Sequence, residues 1–351
     1  MTATPATTTV LVTGGAGYLG RWCIRQLLHA DYAVRTTVRQ RSMSAHLRSL
    51  LDDRDRLSVY EADLHSDEGW NDAVAGCDFV LHVASPFPST QPRDPDELIA
   101  PARDGTLRVL RAAFDAGVRR VVVTSSSAAV RNTGHDYDRP LTEKDWADSG
   151  NPRLSPYARS KLLAEQAAWG YAERVGQTHR LAVINPGAII GPLIGGHRSY
   201  SLDTVERLLT GRAPAIPRLG FAFVDVRDVA ELHCRAMTAP QGAGQRFLGT
   251  GPFMWMADIA AVLRDHLGPD AAKVPKRVAP NALIRLLANF DANLRPVVGE
   301  LGRHTEYSTQ KARSLLDWTP RPIRDSILEC AQSILSQSDA DPAARRTASL
   351  Q

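Results

Sequence analysis

Val10-Leu11-Val12-Thr13-Gly14-Gly15-Ala16-Gly17-Tyr18-Leu19-Gly20 is the stretch on which the fold of this chain turns. An apolar, β-branched run ends in a glycine-rich turn, and the turn opens into Arg21-Trp22-Cys23-Ile24-Arg25-Gln26-Leu27-Leu28. The order is strand, tight turn, helix, with glycines three apart at positions 14, 17 and 20. Such a turn brings backbone N–H groups close to a pyrophosphate, and the helix N-terminus adds a favourable dipole. Gly14 and Gly17 then leave the approach clear, while Gly20 lets the helix pack near the sheet. Glycines at this spacing are weak evidence alone. Here a strand precedes them, a helix follows, and together they start a βαβ unit, which points to dinucleotide binding by Gly14, Gly17, Tyr18, Leu19 and Gly20.

The rest of the composition narrows the class. The chain has 351 residues, 43% hydrophobic and 23% charged, enough for one large domain or two moderate ones. The formal charge is +4, but Lys and Arg are interleaved with Asp and Glu and no aromatics alternate with them. A phosphate-bearing cofactor is sufficient reason for that excess, so no nucleic-acid partner is expected. The four cysteines lie far apart, with no metal-binding or disulfide spacing, as in a reduced, cytoplasmic protein without a metal site. No apolar run reaches about 18 residues, so no membrane span is expected.

Ala33-Val34-Arg35-Thr36-Thr37-Val38 forms a second strand and ends in Arg39. This is near the point, about 20 residues past the glycines, where an NAD enzyme places an acid on the ribose. An arginine removes that acceptor and offers a charge-assisted donor to a 2′-phosphate, which favours NADP(H); the bland alternative is a solvated arginine. Leu57 to Glu61 reads as the third strand, after which Asp63 faces an adenine or caps the next helix, with Leu64 beside it. Phe79 to Ala84 is the fourth strand. Ligands lie beyond the carboxyl ends of parallel strands, so Val83, Ala84, Ser85 and Phe87 belong beside cofactor and substrate, whereas His82 lies inside the strand as a core histidine. A helix from about Pro95 to Ala116 follows. The fifth strand, from Arg120, ends in Ser125-Ser126-Ser127-Ala128-Ala129, and a polar loop leads to Tyr157-Ala158-Arg159-Ser160-Lys161. On a helix Tyr157 and Lys161 are neighbours, and an adjacent ammonium is expected to lower the phenol from its usual value of about 10. Arg180 to Asn185 is a sixth strand, followed by Pro186-Gly187-Ala188. Strict alternation of strand and helix then stops. Residues 1–192 plus about 224–250 are assigned to the cofactor domain, 193–223 plus 251–335 to a smaller substrate lobe, and 336–351 to a flexible tail.

With these pieces placed, the chain resembles the extended short-chain dehydrogenases/reductases, more narrowly the dihydroflavonol reductase, cinnamoyl-CoA reductase and bacterial aldehyde reductase branch. Thr13 to Gly20 matches the TGxxGxxG turn and Tyr157 to Lys161 the YxxxK motif. Thr37-Val38-Arg39, His82-Val83-Ala84-Ser85-Pro86, Leu162 to Trp169 and Asn185-Pro186-Gly187 carry the narrower likeness. The resemblance implies an α/β fold with a doubly wound parallel sheet (Rossmann) of about seven strands and a smaller, discontinuous C-terminal lobe. It implies a catalytic Ser, Tyr and Lys: Tyr157, Lys161 and, by count, Ser126, with Ser127 left open. Lys161 would also hold the nicotinamide ribose, and Pro186, Gly187 and Ala188 would line its pocket. Ser127-Ala128-Ala129-Val130 replaces the Gly-Thr-Val-like stretch of plant members, so plant substrate preferences do not carry over. The asparagine that helps hold the lysine in some relatives has no clear match, Asn132 being the one to check. The implied reaction is reversible NADPH-dependent reduction of aldehydes or ketones by a monomer or homodimer. Two alternatives stay open: a nucleotide-sugar epimerase with bound NAD(P), which Arg39 disfavours, and a non-catalytic NADP(H) sensor, which the intact Ser, Tyr and Lys disfavour. The small-molecule carbonyl or alcohol substrate should meet Phe87, Val130, Ile189, Tyr200, Leu208 and Phe221. Arg198, Arg207 and Arg212 would bind a diphosphate or simply face water.

Overall fold

Runs such as Val121-Val122-Val123 lack the polar alternation of a half-exposed sheet, so they must be covered on both faces. The computed structural model describes residues 8–51, 55–86, 94, 96–196, 200–212, 215–290 and 295–340. Its strands are β1 (Thr9–Thr13), β2 (Ala33–Val38), β3 (Leu57–Glu61), β4 (Phe79–His82), β5 (Arg120–Thr124), β6 (Leu181–Pro186), β7 (Ala188–Ile190), β8 (Ile216–Pro217), β9 (Gly220–Asp225), β10 (Gln245–Gly249), β11 (Phe253–Trp255) and β12 (Val278–Ala279). Its helices are α1 (Tyr18–His29), α2 (Met43–Leu51), α3 (Trp70–Val74), α4 (Asp96–Asp115), α5 (Pro156–Arg174), α6 (Tyr200–Thr210), α7 (Val226–Thr238), α8 (Met256–His266), α9 (Asn281–Leu287), α10 (Arg295–Val298), α11 (Gln310–Leu316) and α12 (Ile323–Ala340).

Seven strands form one parallel sheet in the order β10-β6-β5-β4-β1-β2-β3. The order reverses between β1 and β4, which opens a crevice beyond their carboxyl ends. One face carries Ile24 and Leu27 of α1 and Val229 and Leu232 of α7, and the same core continues into Ile259 and Leu263 of α8 and Ile327 of α12, two helices that pack on each other and on the short strands. The other carries Trp70 of α3, Leu110 and Phe114 of α4, and Ala168 and Ala172 of α5. Burying each of these larger side chains contributes about 1.5–3 kcal/mol, so the sheet is held from both sides. The doubly wound architecture is as expected.

Beyond β6 the structure differs from the reading in detail. The sequence from Phe223 to Ala230 reads as a return to the first lobe, with a helix from about Val229. Instead β9 pairs with β7 and β11 in a separate three-stranded sheet, and only α7 returns to pack on α1. β8 and β12 make a further short pair. Strands of two or three residues carry no periodicity, so the partner across the ladder alone defines them. Among the described residues no helix is long and apolar enough to cross a membrane.

Candidate active site

The glycine turn is built from backbone approach. Gly14 has φ +70°, a left-handed conformation that suits glycine, and a Cβ there would stand 2.9 Å from Ala84 Cα at the end of β4. A Cβ on Gly15 would collide with Thr36 and Ile24, and one on Gly20 with the Gly14 carbonyl oxygen. Near Gly17 it would find only that same oxygen, at 3.2 Å. The roles therefore divide differently from the expectation. Gly17 leaves the approach open, Gly14 and Gly20 close the turn on itself and on β4, and Gly15 lets α1 pack against β2. Gly17 caps α1 without any side-chain hydrogen bond, and the first turn carries no acid. Its free N–H groups and positive dipole end suit the phosphates of a dinucleotide. The side chains of Tyr18 and Leu19 are buried, and the Tyr18 hydroxyl donates to the Gly191 carbonyl (2.9 Å), so these two offer a ligand backbone only.

Thr13 pins the crevice floor. Its hydroxyl accepts from the N–H groups of Val83 (3.1 Å) and Ala84 (3.0 Å), which directs its proton to His82 Nδ1 (2.9 Å). His82 is buried, and desolvation together with Lys161 lowers its pKa to about 3, so it is a neutral packed histidine as expected. Hydrogen bonds from the backbone N–H and ring of His65 lower the Asp63 pKa, and Arg39, exposed just past the end of β2, is close enough to add to that lowering. The Leu64 side chain packs beneath Gly105 of α4 and belongs to the core.

Three consecutive serines follow β5, and each has a different partner. Ser125 Oγ donates to Glu165 Oε2 (2.6 Å), Ser126 shares a hydrogen bond with the Tyr157 hydroxyl, and Ser127 shares one with Tyr307. Ser126 is extended (φ −161°, ψ 152°), and its Oγ also accepts from Ala128 N. α5 presents the tyrosine because Ser155 caps its start by accepting from Ala158 N (3.1 Å), with Pro156 in the first turn. One turn on, Lys161 is buried and its Nζ donates to the Thr124 carbonyl at 3.4 Å. Burial lowers Lys161 to about 8, against the supporting charge of Glu165. The expected lowering of Tyr157 is not found. Desolvation pushes the phenol up, opposed only by Ser126, because burial outweighs an ammonium directed at the strand end. Ala84, Ser85, Thr124, Ser125 and Lys161 line a narrow crevice between β4, β5 and α5.

A glycine cradle at the switch point and a Tyr-Lys pair at the same sheet end define a sequence family, and residues 10–248 match that of the NAD-dependent epimerases/dehydratases. The chain belongs to that family. Cinnamoyl-CoA reductase 1 of Arabidopsis thaliana is 38% identical over 251 residues, 70% of this chain and 71% of the relative. Dihydroflavonol 4-reductase of Zea mays is 35% identical over 269 residues, 74% of each chain. Among solved structures, Gre2 of Candida albicans in complex with NADPH superposes with a TM-score of 0.78 at 26% identity, covering 94% of this chain and 99% of that one.

In this member of the family the substrate-side candidates are scattered. Phe87 and Arg198 lie outside the described residues, and Tyr200 begins α6 with its side chain outside them. Val130 is buried against Leu141 and Leu248, and Leu208 is 3% exposed in the main core, so packing accounts for both. Ile189 and Phe221 are half-buried on adjacent strands, Phe221 edge-on to Phe223 at 5.9 Å. Arg207 and Arg212 are exposed. Pro186 ends β6, Ala188 begins β7, and between them a Cβ on Gly187 would strike the Ala222 carbonyl. Gly187 thus admits β9, a packing role the motif did not reveal. Asn132 binds Asp148 N and Tyr137 in the loop after β5, so it is not the lysine's partner. Tyr307, the Arg131–Glu300 ion pair beside it and Arg246 had no part in the reading, and Glu165 and Asn185 entered it only inside stretches that carry the family likeness, with no role of their own. The signal that could have found Glu165 is its helical spacing from Lys161.

Proposed function

We propose that this protein is an NADPH-dependent reductase of aldehydes or ketones, acting reversibly through Ser126, Tyr157 and Lys161. The observation that carries the reading is the Ser126–Tyr157 hydrogen bond at the open end of β5, with Lys161 one turn along the same helix. A bound nicotinamide supplies or accepts the hydride. Tyr157 gives its hydroxyl proton to the carbonyl oxygen, and Ser126 donates a hydrogen bond to that oxygen as its charge develops. The Lys161 ammonium stabilises the phenolate left behind. Gly14, Gly17 and Gly20 would shape the cradle for the phosphates, and Arg39 would offer a charge-assisted donor to a 2′-phosphate. The Candida Gre2 complex with NADPH and the reductase names of the plant relatives support the cofactor and the reaction.

Half-buried Phe221 and Ile189, with exposed Arg207 and Arg212 turned to water, favour an aromatic or branched aliphatic substrate. Apolar burial contributes roughly 25 cal/mol per Å², whereas a diphosphate needs paired donors to leave water. The test is NADPH oxidation measured against aryl aldehydes, bulky ketones, keto esters and UDP-sugars. Oxidation with carbonyl compounds and no calorimetric binding of UDP-sugars is the expected result. Tight UDP-sugar binding with epimer interconversion and no net NADPH loss would replace the reductase by an epimerase.

A further inference from the structure

Glu165 stands one turn beyond Lys161 on α5 and is 1% exposed. Four donors converge on its carboxylate. Ser125 Oγ (2.6 Å) and Asn185 Nδ2 (2.7 Å) bind Oε2, while Arg246 Nε (2.6 Å) and Trp169 Nε1 (3.4 Å) bind Oε1. The same Asn185 amide also donates to the Ser126 carbonyl at 3.2 Å. One carboxylate therefore grips Ser126 from both sides, through the side chain before it and through its own carbonyl. Burying a carboxylate is costly unless donors and an opposite charge replace water, and this one has both.

The surrounding charges are few. Tyr157 and Lys161 share α5 with Glu165, and His82 of β4 faces Lys161. From the far side Arg246 of β10 reaches Glu165 and also donates to the carbonyls of Glu143 (2.7 Å) and Asp145 (3.1 Å), its guanidinium lying over the Trp146 ring. The Glu143 carboxylate accepts from Leu248 N, and Lys311 of α11 lies near both Glu143 and Arg246. α4 turns Ala102 and Thr106 to this crevice. Glu165 is thus flanked by two cations, Lys161 on the catalytic side and Arg246 on the other.

Resting on the Ser-Tyr-Lys reading above, we propose that Glu165 is a positioning residue: it holds the Ser126 peptide beside Tyr157 and keeps Lys161 charged, with Arg246 governing how much of its charge Lys161 feels. The arrangement predicts opposite responses from the two halves of one ion pair. Glu165→Gln leaves two buried cations with no counter-charge, so Lys161 loses its proton at lower pH. Arg246→Gln leaves Lys161 as the nearer partner of the carboxylate, so it keeps its proton to higher pH. A tie that is merely structural responds to both in the same way.

The experiment compares the full-length parent, Glu165→Gln and Arg246→Gln by two measurements. One is the pH profile of kcat for carbonyl reduction, which needs Lys161 charged. The other is an NMR titration of ε-13C-lysine, with Lys161 assigned through Lys161→Met. The alkaline fall of kcat and the Lys161 titration should move together, down by about one pH unit or more in Glu165→Gln and up in Arg246→Gln. Shifts of the same sign, or none, overturn the proposal. Ser125→Ala removes one donor and no charge, so it serves if a charge variant does not fold: kcat should fall several-fold with KM unchanged, and unchanged kcat overturns the positioning. The NMR arm reads Lys161 whether or not it takes part in turnover. An active Tyr157→Phe would therefore defeat the Ser-Tyr-Lys reading separately from this one.

Discussion

Ser125, Ser126 and Ser127 are chemically identical in sequence, and the structure separates them by partner: Glu165, Tyr157 and Tyr307. Ser126→Ala should therefore lower kcat far more than Ser127→Ala in steady-state assays, and the reverse order would move the role by one residue. Tyr157→Phe keeps the ring and deletes the proton, so turnover should drop by about 100-fold or more while NADPH affinity, read by fluorescence titration, is retained. Because burial raises the Tyr157 phenol, the protonated form that reduction needs is present at neutral pH. Alcohol oxidation needs the phenolate, so its rate should climb from pH 7 to pH 9 while reduction does not. Initial rates in the two directions check this. Arg39 was legible because a strand end after a glycine turn has one expected occupant, an acid, and this chain lacks it. Arg39→Asp should narrow or reverse the preference for NADPH over NADH, and equal use of both by the parent would remove the argument.

α1 does two jobs that its own sequence reveals only in part. Its start closes the glycine turn, and three of its side chains hold the segment after β7. Tyr18 donates to the Gly191 carbonyl (2.9 Å), Trp22 to that of Pro192 (3.0 Å) and Arg21 to that of Ile194 (2.5 Å). Gly20→Ala drives a methyl into the Gly14 carbonyl, and backbone cannot swing aside as a side chain can. NADPH binding by that variant should weaken by at least about tenfold, roughly 1.4 kcal/mol, and calorimetry measures it. Tyr18→Phe removes only the tie to Gly191. It should leave NADPH affinity in place and raise KM for the carbonyl substrate, separating the two jobs of the helix.

Over the whole molecule, buried histidines set how stability depends on pH. His82 and His233 are 2% and 0% exposed, and desolvation lowers them to about 3 and about 4. In the unfolded chain each binds a proton near pH 6.5, so below that pH the unfolded state holds more protons than the native one. Stability should therefore decline from about pH 6.5 down toward pH 4, by up to roughly 1.4 kcal/mol per pH unit for each histidine. Lys161, lowered to about 8, acts in the same direction in a separate window: stability rises with pH between about 8 and its unfolded value near 10.4. Thermal melts from pH 7.5 to 5 test the first window, and His233→Gln should flatten the slope. His233 is the better probe because its shift comes from burial, opposed by the bond to the Val229 carbonyl (2.7 Å), whereas Lys161 acts on His82 as well.

The sequence by itself determined the large sheet, the cradle and the pair on α5. Those features depend on short-range rules: β-branched runs, a glycine turn between strand and helix, and side chains four apart on one helical face. The fifth strand and the helix bearing Tyr157 were readable for the same reason. What only the tertiary structure decided involves residues far apart in the chain. Gly14 meets Ala84 across the switch point, Gly187 meets Ala222, and Leu141 pairs with Tyr307. The different partners of the three serines, and the upward rather than downward shift of Tyr157, come from which groups share their buried space. Glu165 could be seen beside Lys161, but its partners Asn185 and Arg246 lie 20 and 81 residues away. Hydrogen bonding and desolvation act over a few ångströms in space, and no local pattern in the chain records which distant residues folding brings within that range.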